Sequence, residues 1–468
     1  MTKSKFILAH RKDPFIYGAV WDKGSSPVLT KAGAIAGVTI APGVDTTPGT
    51  AQIINVNGTH NLTYDQYMKN RLFDWDEVTD TYGNVFVRIP KTYLKKVDAA
   101  GNKEWYASLA PFSGSYLPKC FWDFTNSKEL DYVLVGKYPA SLSSDTTKLE
   151  SKANVFPLVS KTIVDFRTLA QANNTGGLLG YQQLDIHVVD LLQTLFIIQN
   201  ATLNSQSKCA GFTTGQYSAT HVAAVTESAV NRIIVANATA ALYEVGQTIG
   251  IGTSVGGNEI AANRIITAID TYDASNKAIS FDGAAVTVTA TNILYNLAYK
   301  NGFSSALTSK FASKSSLSSG KHSFIWNGIE SLYGNIWQCV DGININERQA
   351  WVCENAADYA SNVFASPYLQ LSYINGSTNG CTKEMGYDGT YPYAVFPTTV
   401  GEDAATYYAD YYYQTTGQRV AFVGGCWFSG ASAGLFSDAG AGLFYWYLGG
   451  SSSLASVPLG SRLLKKPL

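Results

Sequence analysis

The sequence predicts an α+β protein with an inserted all-β unit, and three observations carry that expectation. Residues 183–200 hold the one strong helical period, with Leu184, Val188, Leu191, Leu195 and Ile198 recurring at three and four residues. Short β-branched runs recur between residues 231 and 289, separated by Gly, Asn and Asp clusters that supply turns. Residues 420–461 contain a single charged residue, Asp438, among Gly, Ser and aromatic residues. Their glycines forbid a continuous helix, so this end must be compact loop and short strand.

Taken in chain order, residues 1–12 are basic and carry no apolar stretch of signal-peptide length, which predicts synthesis and folding in the cytoplasm. Residues 30–61 are rich in Gly, Thr, Val and Pro and read as an irregular β arm, so residues 1–75 are assigned to a β-rich N-terminal arm. Residues 84–89 alternate like a strand, which Pro90 restricts. The helix of residues 183–200 is only partly polar on its second face, which predicts deep burial. Residues 222–299 contain no Trp, Cys or Pro, although all three occur on both sides. That shift marks an inserted all-β domain, with runs at 231–236, 264–269, 277–281 and 285–289 spaced as in a small barrel or sandwich. Residues 76–221 and 300–468 then form one domain around it.

Composition excludes several function classes. The chain has 468 residues, enough for about three domains. Lys plus Arg number 34 against 35 Asp plus Glu, so no basic field exists to neutralise many phosphates, and no nucleic-acid partner is expected. No window reaches the about 18 uninterrupted apolar residues of a membrane span, which predicts a soluble protein without membrane insertion. The six cysteines include no C-x-x-C pair, arguing against a zinc site or a disulfide framework. The five histidines stand alone, and His187, on the buried helix, reads as a hydrogen-bonded core residue. No nucleophile elbow, Walker loop or dinucleotide fingerprint is present.

Three segments resemble a known family. Glu330-Ser-Leu-Tyr-Gly-Asn-Ile-Trp-Gln-Cys-Val-Asp-Gly342 is similar to the Gly-Asn-x-Trp-Glu-Trp-x-x-Asp signature of the formylglycine-generating-enzyme branch of the C-type lectin fold. Arg419-Val-Ala-Phe-Val-Gly-Gly-Cys-Trp427 resembles its Arg-Val-x-Arg-Gly-Gly-Ser-Trp strand, and Leu459-Gly-Ser-Arg-Leu463 its closing Gly-Phe-Arg. Gly430-Ala-Ser-Ala-Gly-Leu-Phe436 and Gly442-Leu-Phe-Tyr-Trp-Tyr-Leu448 are closer to the variable proteins of diversity-generating retroelements. Residues 117–124, 181–187 and 203–206 resemble phage and prophage tail proteins with this ending.

The resemblance implies a C-type lectin-like fold whose last strands display solvent-facing side chains on a rigid frame. Gly334 and Asn335 suit a turn with positive φ above Trp337, while Trp427 and Arg462 read as scaffold. Because successive strand residues face opposite ways, either Phe444 and Trp446 or Tyr445 and Tyr447 should be exposed. The tyrosine hydroxyls suit a wet surface, which favours the second pair. The family pattern then implies a receptor-binding set of Phe428, Ser429, Ser432, Ser437, Asp438, Tyr445 and Tyr447.

The function implied is that of a phage tail-tip adhesin, a tropism determinant binding a host-surface protein or glycan and located at the virion tail tip. Its partners would be that receptor, other tail proteins and two further copies in a homotrimer, with the arm serving attachment or trimer formation. A structural tail or baseplate role is the alternative. An oxidase of the formylglycine-generating type would need paired cysteine thiolates after the Gly-Gly-Ser strand; residues 427–436 contain none, and Cys426 replaces the Ser. The expectation is therefore no enzyme and no cofactor. Asp341, Asn344 and Asn346 carry oxygens suited to calcium, yet their spacing lacks an EF-hand pattern and turn formation is favoured.

Overall fold

The computed structural model describes the chain apart from residues 1–15, 24–28, 37, 41–42, 45–53, 57–71, 74, 100, 177–179, 308, 402–407 and 431–439. Strands take 38% of the residues and helices 10%, so the molecule is mainly β. Its centre is a nine-stranded sheet with Trp337–Asn346, Gln418–Gly424 and Gly442–Leu448 side by side in the middle. Tyr411–Gln414 runs parallel to Gly442–Leu448 on the far side, with Tyr412 opposite Trp446 and Tyr413 opposite Tyr447.

The helix Ile186–Asn200 lies against one face of this sheet, and all fifteen of its residues are buried. It starts at residue 186 rather than 183 for a local reason. The Asp185 side chain accepts the Val188 N–H at 2.9 Å as an N-cap, and Tyr181–Gln183 instead pairs as a strand with Leu463–Lys465. Val188, Leu191 and Leu195 join Val340, Ala421, Val423, Phe444 and Trp446 in one apolar cluster. A second helix, Ile163–Gln171, has no sequence period that singles it out. A capping box between Thr162 and Asp165 starts it, and it buries Ile163, Phe166 and Ala170. These join Cys339, Val420, Phe422 and Tyr445, from the opposite face of the sheet, in a second cluster.

Part of the expected N-terminal arm belongs to the body. Tyr17–Asp22 pairs with Asn102–Ser108 in a four-stranded sheet, and Tyr17, Ala19 and Trp21 enter the main core. Among the described residues, the strands from Glu227–Val230 to Ile293–Asn296 pair in two sheets of their own, with one further bridge from Val222 to Ile293. They enclose their own cluster of Ile233, Val235, Ile249, Ile251, Ile279, Phe281 and Leu294. The expected run at 264–269 lies inside the longer Ala261–Thr271, and the run at 285–289 shortens to Val286–Val288.

Arg462 is fully buried. Its guanidinium donates to Gln338 Oε1 and to the carbonyls of Gly136, Lys137, Glu330 and Ser331 at 2.8–3.2 Å. Five bonds from one side chain tie the penultimate segment to three others. Among the described residues, no helix is long and apolar enough to cross a membrane.

Candidate functional site

Gly334 (φ 68°) and Asn335 (φ 56°) both adopt the left-handed conformation. The turn is held on several sides: Asn335 N–H donates to Phe212 O at 2.8 Å, its Oδ1 accepts the Tyr299 N–H, and its carbonyl accepts the Trp427 N–H at 2.9 Å. Trp337 follows at the start of its strand and is 4% exposed. Its N–H donates to Pro458 O at 2.8 Å, which brings the last loop of the chain alongside.

These contacts build a cleft of about 320 Å³ whose lining includes Tyr217, Trp337, Phe428, Tyr447, Leu454 and Pro458. Phe428 and Tyr217 stack with ring centres 5.1 Å apart and planes 17° apart, and Phe428 also meets Trp427 edge-on at 5.3 Å. Tyr447 stacks on Tyr413 at 5.1 Å and 8°, and approaches Trp337 at 5.6 Å. Phe428 and Tyr447 are each half-buried, so each ring is packed on the protein and keeps part of its surface exposed. Burial raises the phenol pKa of Tyr447 and Tyr217, so both hydroxyls stay protonated at neutral pH. Among the described residues the hydroxyls of Tyr217, Tyr447 and Ser456 have no hydrogen-bond partner. Among the described residues, none of the side chains lining the cleft is charged.

Of the seven residues expected at the receptor surface, Phe428 and Tyr447 come together here. Tyr445 does not, and the expectation that it is exposed is corrected: it is fully buried. The alternation of the strand is as expected, but Trp337 lies edge-on over the Tyr445 ring at 4.6 Å and Tyr411 at 5.8 Å, covering it. Ser429 is also buried rather than exposed, because its Oγ accepts the Cys426 N–H at 2.9 Å and closes a local turn. Ser432, Ser437 and Asp438 lie outside the described residues. Sequence reading missed Tyr217, since it sits in a loop before the inserted strands with no local pattern to mark it. It also treated Trp337 as core alone, although the ring both seals Tyr445 and floors the cleft.

Several other chemistry-bearing residues among those described are engaged by the protein. Cys426 is buried, its thiol pushed up to about 11 by desolvation. Asp341 receives Arg167 through Nε and Nη2 at 2.7 and 2.8 Å, and Asn344 Nδ2 donates to Ala360 O and Val363 O. Asp341 and Asn344, two of the three oxygen donors considered for calcium, are thus tied into the fold. Among the described residues no three His, Cys, Asp or Glu side chains converge as a metal site. His187 Nε2–H donates to Cys353 O at 2.9 Å, and burial lowers the His187 pKa, so the ring is neutral. His322 bridges Tyr299 Oη at 2.9 Å and Glu244 at 2.7 Å, where the inserted strands meet the body. No protein-family model matches the chain, and no curated protein matches it significantly.

Proposed function

We propose that the chain is a receptor-binding protein of a phage or prophage tail tip, with a C-type lectin-like C-terminal domain that grips a host-surface molecule. The observation that carries the reading is the aromatic cleft: Phe428 and Tyr447, positions at which the family resemblance implies receptor contact, line one cleft beside the central sheet whose described lining side chains carry no charge. The frame supports the reading because strand pairing and stacking on Tyr413 hold the Tyr447 ring and stacking on Tyr217 supports the Phe428 ring, and preorganised aromatic side chains lose little entropy on binding. Binding rather than catalysis is the activity proposed, and the buried, protonated Cys426 thiol fits that choice. A trimer on the virion would multiply modest single-site affinity by avidity, and attachment to other tail proteins would fall to the N-terminal arm.

The test uses the purified full chain and antibodies raised against it. The expected result is antibody labelling at the tail tip of the virion, together with competition by the free chain for phage adsorption to the host. Labelling of the baseplate interior without competition would replace the adhesin reading with the structural one. A reverse-transcriptase gene and a near-copy of the coding sequence beside this gene would add the diversity-generating element.

A further inference from the structure

We propose that the cleft takes one neutral sugar ring of a glycan through stacking and hydroxyl hydrogen bonds, and that Tyr217, braced by the inserted strands, sets which ring fits. The inference rests on the adhesin reading for the source of the glycan, a cell surface.

Neutrality follows from the lining. A charged group entering the cleft would lose hydration with no countercharge among the described lining side chains to replace it. Arg419, whose charge reaches Tyr447, turns its Nε–H to Thr416 O at 2.8 Å. A ring follows from the walls. A pyranose presents a flat C–H face that an aromatic face accepts and a rim of hydroxyls that needs partners. The cleft supplies the aromatic faces, and the hydroxyls of Tyr447 and Ser456 are unspent among the described residues. Its volume of about 320 Å³ lies near the lower end of the range for small-molecule sites. An extended peptide fits less well: the strands beneath the cleft, Trp337–Asn346 and Gly442–Leu448, are paired on both sides and offer no free edge for strand addition.

Tyr217 connects the cleft to the inserted strands. Its ring meets Tyr295 edge-on at 5.8 Å, and Tyr295 Oη both accepts the Asn258 N–H at 2.7 Å and donates to Asn258 Oδ1 at 2.8 Å. Gly256 (φ 80°) lies so close that a Cβ there would stand 2.3 Å from Tyr217 Oη. The loop thereby limits where the phenol can go, and changing Tyr217 changes one wall of the site without touching the main sheet.

The experiment applies the full chain to an array of neutral glycans, sialylated or sulfated glycans, and proline-rich peptides, with a chelator present. The expected result is retention by a neutral glycan that survives the chelator, weakened about tenfold or more by Tyr447→Ala and by Tyr217→Ala. Tyr447→Phe, which keeps the ring and its packing, should give a smaller loss and guards against a folding defect. Retention confined to acidic glycans or peptides, loss in chelator, neutral-glycan binding untouched by all three substitutions, or no retention at all would each overturn the proposal. Tail-tip labelling and adsorption competition without neutral-glycan binding would remove the sugar site and leave the adhesin. Neutral-glycan binding by a chain absent from the virion would do the reverse.

Discussion

Phe444 and Trp446 leave the strand Gly442–Leu448 toward the central helix, where Tyr408 and Phe196 lie against the first ring and Phe396 lies 4.5 Å from the second. Tyr445 and Tyr447 leave the same strand on the other side, where Trp337 and Tyr411 cover the first and only part of the second is covered. The helix side is closed along its length because one helix, buried on every face, spans it. The other side is covered piecemeal, by a short helix, Trp337 and the last loop, and the cover runs out at Tyr447, Tyr413 and Phe428. A binding surface here is the place where the core stops being covered, and one strand serves both purposes.

The largest expected effect breaks the closed side. Trp446→Ala should cost about 3 to 5 kcal/mol of folding stability, because it opens a cavity that a fully buried indole fills and the surrounding rings cannot collapse into. Chemical denaturation would measure it. A cost under about 1 kcal/mol would mean that the helix side tolerates rearrangement and that the contrast between the faces is one of degree.

A charge sharpens the same contrast. Asp410 is buried on the helix side, with Ser205 Oγ–H donating to it at 3.0 Å and Phe444 N–H at 2.8 Å. Burial dominates and pushes its carboxyl up from 3.8 to about 7. A carboxyl raised in the fold holds its proton more tightly there than in the unfolded chain, so its contribution falls as pH rises from about 4 to about 7 and then levels. At about 1.4 kcal/mol per pKa unit the total is on the order of 4 kcal/mol. Asp410→Asn can still accept the Phe444 N–H with its carbonyl oxygen and turn its amide to Ser205 Oγ. The variant should therefore match the native chain near pH 4 and exceed it by a few kcal/mol at pH 8. Parallel stability curves for the two chains would show instead that the carboxylate is matched by a cation.

How far these features were legible in the sequence depends on whether the cause was local. The central helix showed itself through its period, the inserted strands through β-branched runs and missing Trp, Cys and Pro, and the Gly334–Asn335 turn through residue types that tolerate positive φ. Strand parity was legible as well, since Tyr445 and Tyr447 do share the face away from the helix. Coverage was not. Whether Tyr445 meets solvent is decided by Trp337, over a hundred residues away, and the wall at Phe428 is completed by Tyr217 from before the insertion. Ser429 was misplaced because a serine beside a turn bonds its own backbone as readily as a ligand.

On the open side the effects shrink and part from stability. Tyr447→Ala should lower folding stability by only about 1 kcal/mol, the worth of a half-buried ring stacked on Tyr413, while removing the greater part of glycan or cell binding. Thermal unfolding run beside the binding assay separates the two. A loss comparable to that of Trp446→Ala would place Tyr447 in the core and remove it from the surface.

The smallest effect has the opposite sign, and it tests how completely the cover over Tyr445 excludes water. The Tyr445 hydroxyl is buried and has no hydrogen-bond partner among the described residues. A buried hydroxyl left unpaired costs the desolvation of that group, so Tyr445→Phe should leave stability unchanged or raise it by about 1 kcal/mol. Its ring contacts with Trp337 and Tyr411 need no hydroxyl, so the cleft above should keep its shape and its affinity. A loss of about 1 kcal/mol or more would show that the hydroxyl is paired in solution, as by water entering from the cleft. The boundary between core and site would then lie two residues deeper along the strand, with Tyr445 contributing to binding after all.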